Sequence, residues 1–228
     1  RIASTSSLTI KQGTTVTSVE GKLHSGGYIW SEGSLRILGI KDDPVIYSNL
    51  STLFIANTDA LIRYAIFATT SISSIKSTTT VEYSTFKNAN YAIATKNSRS
   101  TISTSTLDNN GIHSLYSIRD YTLPRLYESG DPNAKYVEDP KQNLITMHGS
   151  RIITDGGYEI FNETDNNINA TNNWWGHKDG PQNMFSRGKV LLYPILEEDP
   201  DTIKIPECCS SVLFIPGLEA SRLYKDTK

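Results

Sequence analysis

The sequence is short of most features that mark a helical, disulfide-stapled or nucleic-acid-binding protein. Of its 228 residues two are cysteine, and they are neighbours, Cys208 and Cys209. Adjacent side chains diverge along the chain, which leaves no disulfide framework and no zinc-type spacing. Neither sign of charge is in excess: 22 Lys+Arg against 24 Asp+Glu leave a formal net charge of -2, without the basic footprint that favours nucleic acid or an anionic membrane surface. No apolar run approaches the roughly 18 residues of a membrane helix. A soluble chain without a transmembrane segment, and without a nucleic-acid partner, is expected. The chain opens on Arg1 with no Met and no apolar leader, and reads as a mature product or a piece of a longer protein.

What is abundant is Ser and Thr, 50 together, with Tyr, Ile and Val, while Ala, Glu and Lys are too sparse for long helices. That composition suits strands and turns and excludes a helical bundle. Three segments align when stacked at offsets of 19 and 21 residues: Ile62–Phe67, Val81–Phe86 and Ile102–Leu107. Each begins with a β-branched residue, places a large apolar one five positions on, and is followed five positions later by Ile72, Tyr91 or Ile112. The turn Lys87-Asn88-Ala89-Asn90 matches Asp108-Asn109-Asn110-Gly111, and Asn and Gly tolerate left-handed backbone. A period near 20 is too short for a propeller blade or a helical-pair repeat, and it lacks the leucine-rich pattern. A parallel β-helix fits, with apolar side chains inside and Ser, Thr and Asn facing out. Roughly eight or nine coils rising about 4.8 Å each would give a rod on the order of 40 Å.

The units Leu8–Val16 and Gly33–Tyr47 repeat the pattern. The run GSLRILGIKDDPVIYS resembles the recurrent unit of right-handed parallel β-helices of the pectin-lyase-like superfamily, and Asn172-Asn173-Trp174-Trp175-Gly176 with Gly180-Pro181, Gly188, Val190 and Pro194-Ile195-Leu196 is similar to their closing signature. Ile195 stands where that signature usually has Trp. The fold class expected is all-β, a right-handed parallel β-helix solenoid over 1–196, capped near Trp174 and Trp175. The segment Arg119–Asn143, rich in Pro and charge, breaks the repeat and reads as a loop inserted between two coils. Ile145, Ile152, Ile153, Tyr158, Ile160 and Ile168 would resume the strands.

Residues 197–209 read as an acidic, Pro-containing linker. Beyond it, Ser210–Tyr224 resembles the first core strand and oxyanion loop of α/β-hydrolases, closest to the lipase and lecithin:cholesterol acyltransferase-like group, with Ala220 in place of a Gly. The resemblance implies that 210–228 begins such a domain, with Gly217 and the backbone N–H of Leu218 at its oxyanion position. The alternative is a plain strand ending in a Pro-Gly turn. No G-x-S-x-G elbow occurs in these residues, so hydrolase chemistry would need a part of the protein beyond them.

Pectin-lyase-like folds often carry polysaccharide lyases or hydrolases, which need a carboxylate cluster for Ca²⁺ with a nearby base, or paired acids roughly 6.5–9.5 Å apart. Acidic residues here do not stack at the coil period. His148, Arg151 and Asp155 form the nearest thing to an active constellation, with solvated turn residues the plainer reading. His177 invites comparison with a polygalacturonase Gly-His motif whose other elements are missing. Tyr121, Tyr127 and Tyr136 of the inserted loop are candidate sugar-stacking residues, whereas Trp174 and Trp175 read as cap packing. Asn88, Asn109, Asn166, Asn167, Asn172 and Asn173 are candidates for ladders in the turns, and Asn49, Asn162 and Asn169 head glycosylation sequons.

No cofactor and no metal is expected. Three functions stay open: a non-catalytic module for scaffolding, surface or glycan binding in an extracellular or cell-surface protein that continues into a lipase-like hydrolase; a polysaccharide enzyme with its site beside the inserted loop; and an adhesin-like stalk. The partner expected is a polysaccharide or cell-surface glycan.

Overall fold

A computed structural model describes residues 1–18, 27–119, 143–153, 159–181 and 186–202. Every regular element among them is a strand, and every ladder between named strands is parallel. The strands form three sheets of eight, six and seven members, and each sheet takes every third strand in chain order through the regular coils. This is a three-sided parallel β-solenoid. Its first complete coil is Ser7–Lys11, Thr15–Thr17 and Gly27–Ser31; its fourth is Thr78–Glu82, Thr85–Lys87 and Tyr91–Lys96; its sixth is Leu144–His148, Arg151–Ile153 and Ile160–Asn162. The faces that open with Ser7–Lys11, Thr15–Thr17 and Gly27–Ser31 are sheets one, two and three.

Three inward columns make the core. On sheet one Ile10, Ile37, Ile62, Val81, Ile102 and Met147 stand in register. On sheet two the column is Val16, Tyr47, Phe67, Phe86, Leu107 and Ile152. On sheet three it is Ile29, Leu53, Ile72, Ile93, Leu115 and Ile160. From the second coil to the sixth these residues are at most 1% exposed. Stacking like on like lets the rings of Tyr47, Phe67 and Phe86 lie face to face, with centroids 4.9 and 4.7 Å apart.

The aligned triplets of the sequence occupy matching register positions, but the third repeat position does not. Ile72 stands over Ile93 and then Leu115, instead of Tyr91 and Ile112, and Ile112 is 46% exposed. The connection from sheet two to sheet three lengthens step by step from the second coil to the fifth, so a fixed five-residue step loses register there. The coil count also differs from expectation. Six complete coils are followed by Ile168–Asn169 and Ser186–Arg187 as a partial seventh and by Val190–Leu191, because the first coils are longer than 20 residues, Ser7 pairing with Ser34 and Leu35 with Ala60. At about 4.8 Å per coil the complete coils span roughly 30 Å.

The corners explain much of the Ser and Asn content. Each complete turn needs residues with left-handed backbone, and these recur in columns: Tyr64, Tyr83, Thr104, Gly149 and Asn172 between sheets one and two; Asn49, Thr69, Asn88 and Asn109 between sheets two and three; Asn57, Lys76, Asn97 and Asn143 between sheets three and one. Just after the first of these columns, the N–H of Ala65 donates to Ser84 Oγ, that of Ser84 to Ser105 Oγ, that of Ser105 to Ser150 Oγ and that of Ser150 to Asn173 Oδ1, at 2.9–3.2 Å. Each serine hydroxyl also donates back to a carbonyl two residues earlier, as Ser105 does to Ser103 at 2.8 Å. A second ladder runs Thr58, Ser77, Ser98, Asn143. These serines are at most 6% exposed, so the expectation that Ser faces out fails at the corners: a short hydroxyl there satisfies backbone groups that would otherwise be buried without partners. Of the candidate asparagines, Asn88, Asn109 and Asn172 supply left-handed turns, and Asn173 ends the first ladder.

The inserted segment leaves between the fifth and sixth coils, after His113–Ile118 and before Leu144–His148. Asn143 Nδ2 donates to the Ile118 carbonyl at 2.8 Å, tying its two ends together. At the C-terminal end Trp175, 2% exposed, joins the core cluster and covers the last turns. A side chain is excluded at Gly188, where a Cβ would collide with the Asn162 carbonyl. Tyr158, Asp155 and the whole of 203–228, including Gly217 and Leu218, lie outside the described residues.

Two outcomes test this packing. The Tyr47 hydroxyl is buried without a hydrogen-bond partner, and burial pushes its ionisation well above the ordinary tyrosine range. Since the folded state holds that proton more tightly than the unfolded one, Tyr47 subtracts from stability as pH rises past about 10. Tyr47→Phe is therefore expected to raise unfolding free energy by about 1 kcal/mol and to flatten its alkaline decline, read by urea titration at two pH values. Ser105→Ala removes an acceptor from Ser84 N–H and a donor from the Ser103 carbonyl. It is expected to cost about 1–3 kcal/mol, while Ser103→Ala on the outer face changes stability by less than about 0.5 kcal/mol.

Candidate functional site

The outward column of sheet three reads Trp30, Phe54, Ser73, Ala94, Tyr116, Phe161. Two aromatic blocks are thus separated by two coils with small side chains. On one side Phe54 packs against Trp30 and Tyr28, with centroids 5.1 and 5.9 Å away. On the other, Tyr116 stacks on Phe161 at 5.4 Å with rings parallel within 2°, and Tyr91 stacks on Tyr116 at 5.4 Å. His113 lies tilted among them, at 54–55° to Tyr116 and Phe161, and the Arg187 guanidinium lies 5.2 Å over Phe161.

The gap is a trough of about 450 Å³ over Ser73 and Ala94, walled by Phe54 at one end and by Tyr91 and Tyr116 at the other. Three coil steps separate Phe54 from Tyr116, roughly 14 Å along the axis. Ser71, Asn88 and Asn90 are among its polar groups, and its lining has no acidic or basic side chain. The walls are held in place by their own contacts. Tyr116 donates its hydroxyl to Glu163 at 2.7 Å, the N–H of Tyr91 donates to Ser71 Oγ, and Trp30 donates its indole N–H to Glu32 at 3.2 Å. Glu32 in turn is held below the usual carboxylate range, first by its bond to Arg1 and then by Trp30. Ile118, the last strand residue before the inserted segment, lies on the trough's rim. The segment with Tyr121, Tyr127 and Tyr136 therefore departs from this rim, and those three tyrosines themselves lie outside the described residues.

A second groove, of about 490 Å³, runs along the corner of sheets one and two. Tyr64 and Tyr83 stack along it, centroids 4.8 Å apart and rings parallel within 8°. Both have left-handed backbone, φ 48° and 50°, which costs a non-glycine residue about 1–2 kcal/mol. An aromatic stack returns about 0.5–1.5 kcal/mol beyond the area it buries. The corner demands this backbone in every coil, and Thr, Gly and Asn meet it in later ones.

The catalytic constellation read from the sequence is only partly placed. His148 ends a strand of sheet one and Arg151 begins one of sheet two, on opposite sides of the Gly149–Ser150 corner; Asp155 lies outside the described residues. The Arg151 guanidinium is engaged by Asp199 at 2.8 Å and approached by Asp201 at 3.8 Å, which fastens the segment after Leu196 to the solenoid. His177 sits on the exposed turn after Gly176, with Nδ1 3.5 Å from Asp179. Of the sequon residues Asn49 and Asn169 are exposed, whereas Asn162 is buried with its amide donating to two carbonyls. Among the described residues no group of three or more His, Cys, Asp or Glu is placed to hold a metal ion, and no helix is long and apolar enough to cross a membrane.

Sequence reasoning missed the trough. Its residues come from the second to fifth coils and carry no local motif; the signal that could have found it is the outward column itself, legible once the inward positions are fixed at Leu53, Ile72, Ile93 and Leu115. No family model, curated protein or solved structure matches the chain.

Proposed function

We propose that this β-solenoid is a non-catalytic glycan-binding module of an extracellular or cell-surface protein, and that an uncharged oligosaccharide lies in the sheet-three trough. The observation that carries this reading is the trough's composition: aromatic walls at Phe54, Tyr91 and Tyr116 around a floor of hydroxyl, amide and methyl groups, without an acid or base in the lining. Aromatic faces pack on the C–H faces of pyranose rings, and Ser hydroxyls and Asn amides both donate to and accept from sugar hydroxyls. Glycosidic cleavage needs two carboxyl groups about 5–9.5 Å apart across the bond, and the lining offers none. A separation of roughly 14 Å between the end rings, less their own thickness, accommodates about two sugar units along the coil axis.

The likeness of GSLRILGIKDDPVIYS and of the Asn172–Gly176 signature to pectin-lyase-like β-helices supports placing the solenoid near that superfamily. The pattern of Ser210–Tyr224 supports a continuation into a lipase-like α/β-hydrolase, for which the solenoid would act as the surface-attaching part.

A panel of neutral and uronate oligosaccharides tests the reading by calorimetry and by absorbance of unsaturated product. Binding of a neutral oligosaccharide without turnover is expected, weakened about ten-fold, or about 1.4 kcal/mol, by Phe54→Ala or Tyr91→Ala and abolished by Ser73→Trp, which fills the floor. A blank panel favours the stalk reading, and sustained release of unsaturated uronate favours the enzyme; either result overturns this one.

A further inference from the structure

The geometry points to a second binding site, on the corner between sheets one and two, in which a single pyranose ring stacks on the open face of Tyr83 and hydrogen-bonds to Asp201. It is a different face from the trough and stands on different residues.

The aromatic column there stops abruptly. Tyr64 and Tyr83 stack with nearly parallel rings, but the next corner positions are Thr104 and Gly149. Below Tyr83 there is thus no third ring to continue the stack, and Tyr83 is 49% exposed. Its bare face looks onto the groove that Thr104, Thr106 and Asp201 also line. Asp201 is placed at the far end through the segment that Arg151 holds, Arg151 being in register with Thr106 one coil below it. Tyr83 and Asp201 line one groove of about 490 Å³, and Tyr83 and Arg151 stand two coil steps apart, roughly 10 Å along the axis. That admits one saturated six-membered ring and its hydroxyls.

The chemistry of the two ends selects the occupant. The π-face of Tyr83 accepts an apolar C–H face. The Asp201 carboxylate accepts hydrogen bonds only, and two vicinal sugar hydroxyls match its two oxygens; the Thr104 and Thr106 hydroxyls complete the rim. A flat aromatic ligand would stack equally well but would bring no hydroxyls to the carboxylate, and with Lys41 and Asp201 both in the lining the groove does not select the sugar by its charge.

Saturation-transfer NMR of the full 228-residue chain with methyl β-D-glucopyranoside and methyl β-D-galactopyranoside reads the site directly. Contact from the ring C–H face of a neutral glycoside to Tyr83 is expected. Tyr83→Asn is the decisive variant, because Asn suits the left-handed backbone: it is expected to unfold at the same or higher urea concentration while weakening the glycoside at least ten-fold. Asp201→Asn is expected to weaken it three- to ten-fold, and Tyr91→Ala to leave it unchanged. No signal from any neutral glycoside, a signal that survives Tyr83→Asn, or loss through Tyr91→Ala instead would each overturn the proposal. Failure of the trough reading would show separately, in the response of oligosaccharides to Phe54→Ala and Tyr91→Ala.

Discussion

A parallel coil closes only if the chain turns three corners per turn without burying an unpaired backbone group, and every other feature of this molecule depends on how that is done. At two of the three corners the solution is short and repeated: a left-handed residue followed, in the central coils, by a serine whose hydroxyl accepts from the N–H one coil above and donates to its own chain two residues back. Because the acceptor belongs to the neighbouring coil, each corner fixes the height and phase of the next. The ladder Ser84, Ser105, Ser150, Asn173 thereby keeps the core columns in register even across the inserted segment, where the partners are 45 residues apart.

Once inward positions are committed to Ile, Val, Leu and Phe and corners to Ser and Asn, the chain's freedom lies in its outward columns. Each such column is a linear array with a repeat of about 4.8 Å, so a patch is made by choosing what stands in successive coils. On sheet three, aromatic residues flank Ser73 and Ala94, and the resulting hollow has rigid walls because each ring is stacked on another or hydrogen-bonded. On the opposite corner, between sheets one and two, the array ends after Tyr83, leaving an unpaired ring face. Recognition of a glycan, as proposed, would require no moving part: the scaffold presents preformed apolar faces beside short polar groups, which would limit the ordering cost of binding a flexible ligand.

The sequence made some of this legible for a physical reason. Ile62, Val81 and Ile102, like Phe67, Phe86 and Leu107, sit on either side of one corner of nearly constant length, so their spacing survives as a repeat. The third column did not, because the connections preceding Ile93 and Leu115 are longer and Tyr91 and Ile112 mimic apolar core residues by position alone. Serine's role was hidden for a different reason: composition does not distinguish an outward Ser73 from a corner Ser84. The site was the least legible part, since Phe54, Ser73, Ala94 and Tyr116 come from separate coils and are brought into one line only by the register.

That register is the central claim, and cross-linking across the insertion tests it most directly. Thr101 and Thr146 stand side by side on the outer face of sheet one, and parallel partners about 4.8 Å apart lie within the Cα range of a disulfide. With Cys208 and Cys209 changed to serine, the double variant Thr101→Cys/Thr146→Cys is predicted to form an intramolecular disulfide on mild oxidation, detected by mass spectrometry of proteolytic peptides. The pair Ser103→Cys/Thr146→Cys, offset along the strand by two residues, is predicted to stay reduced under the same conditions. Efficient bridging of the offset pair, with Thr101 and Thr146 left unlinked, would contradict the register and the outward columns built on it.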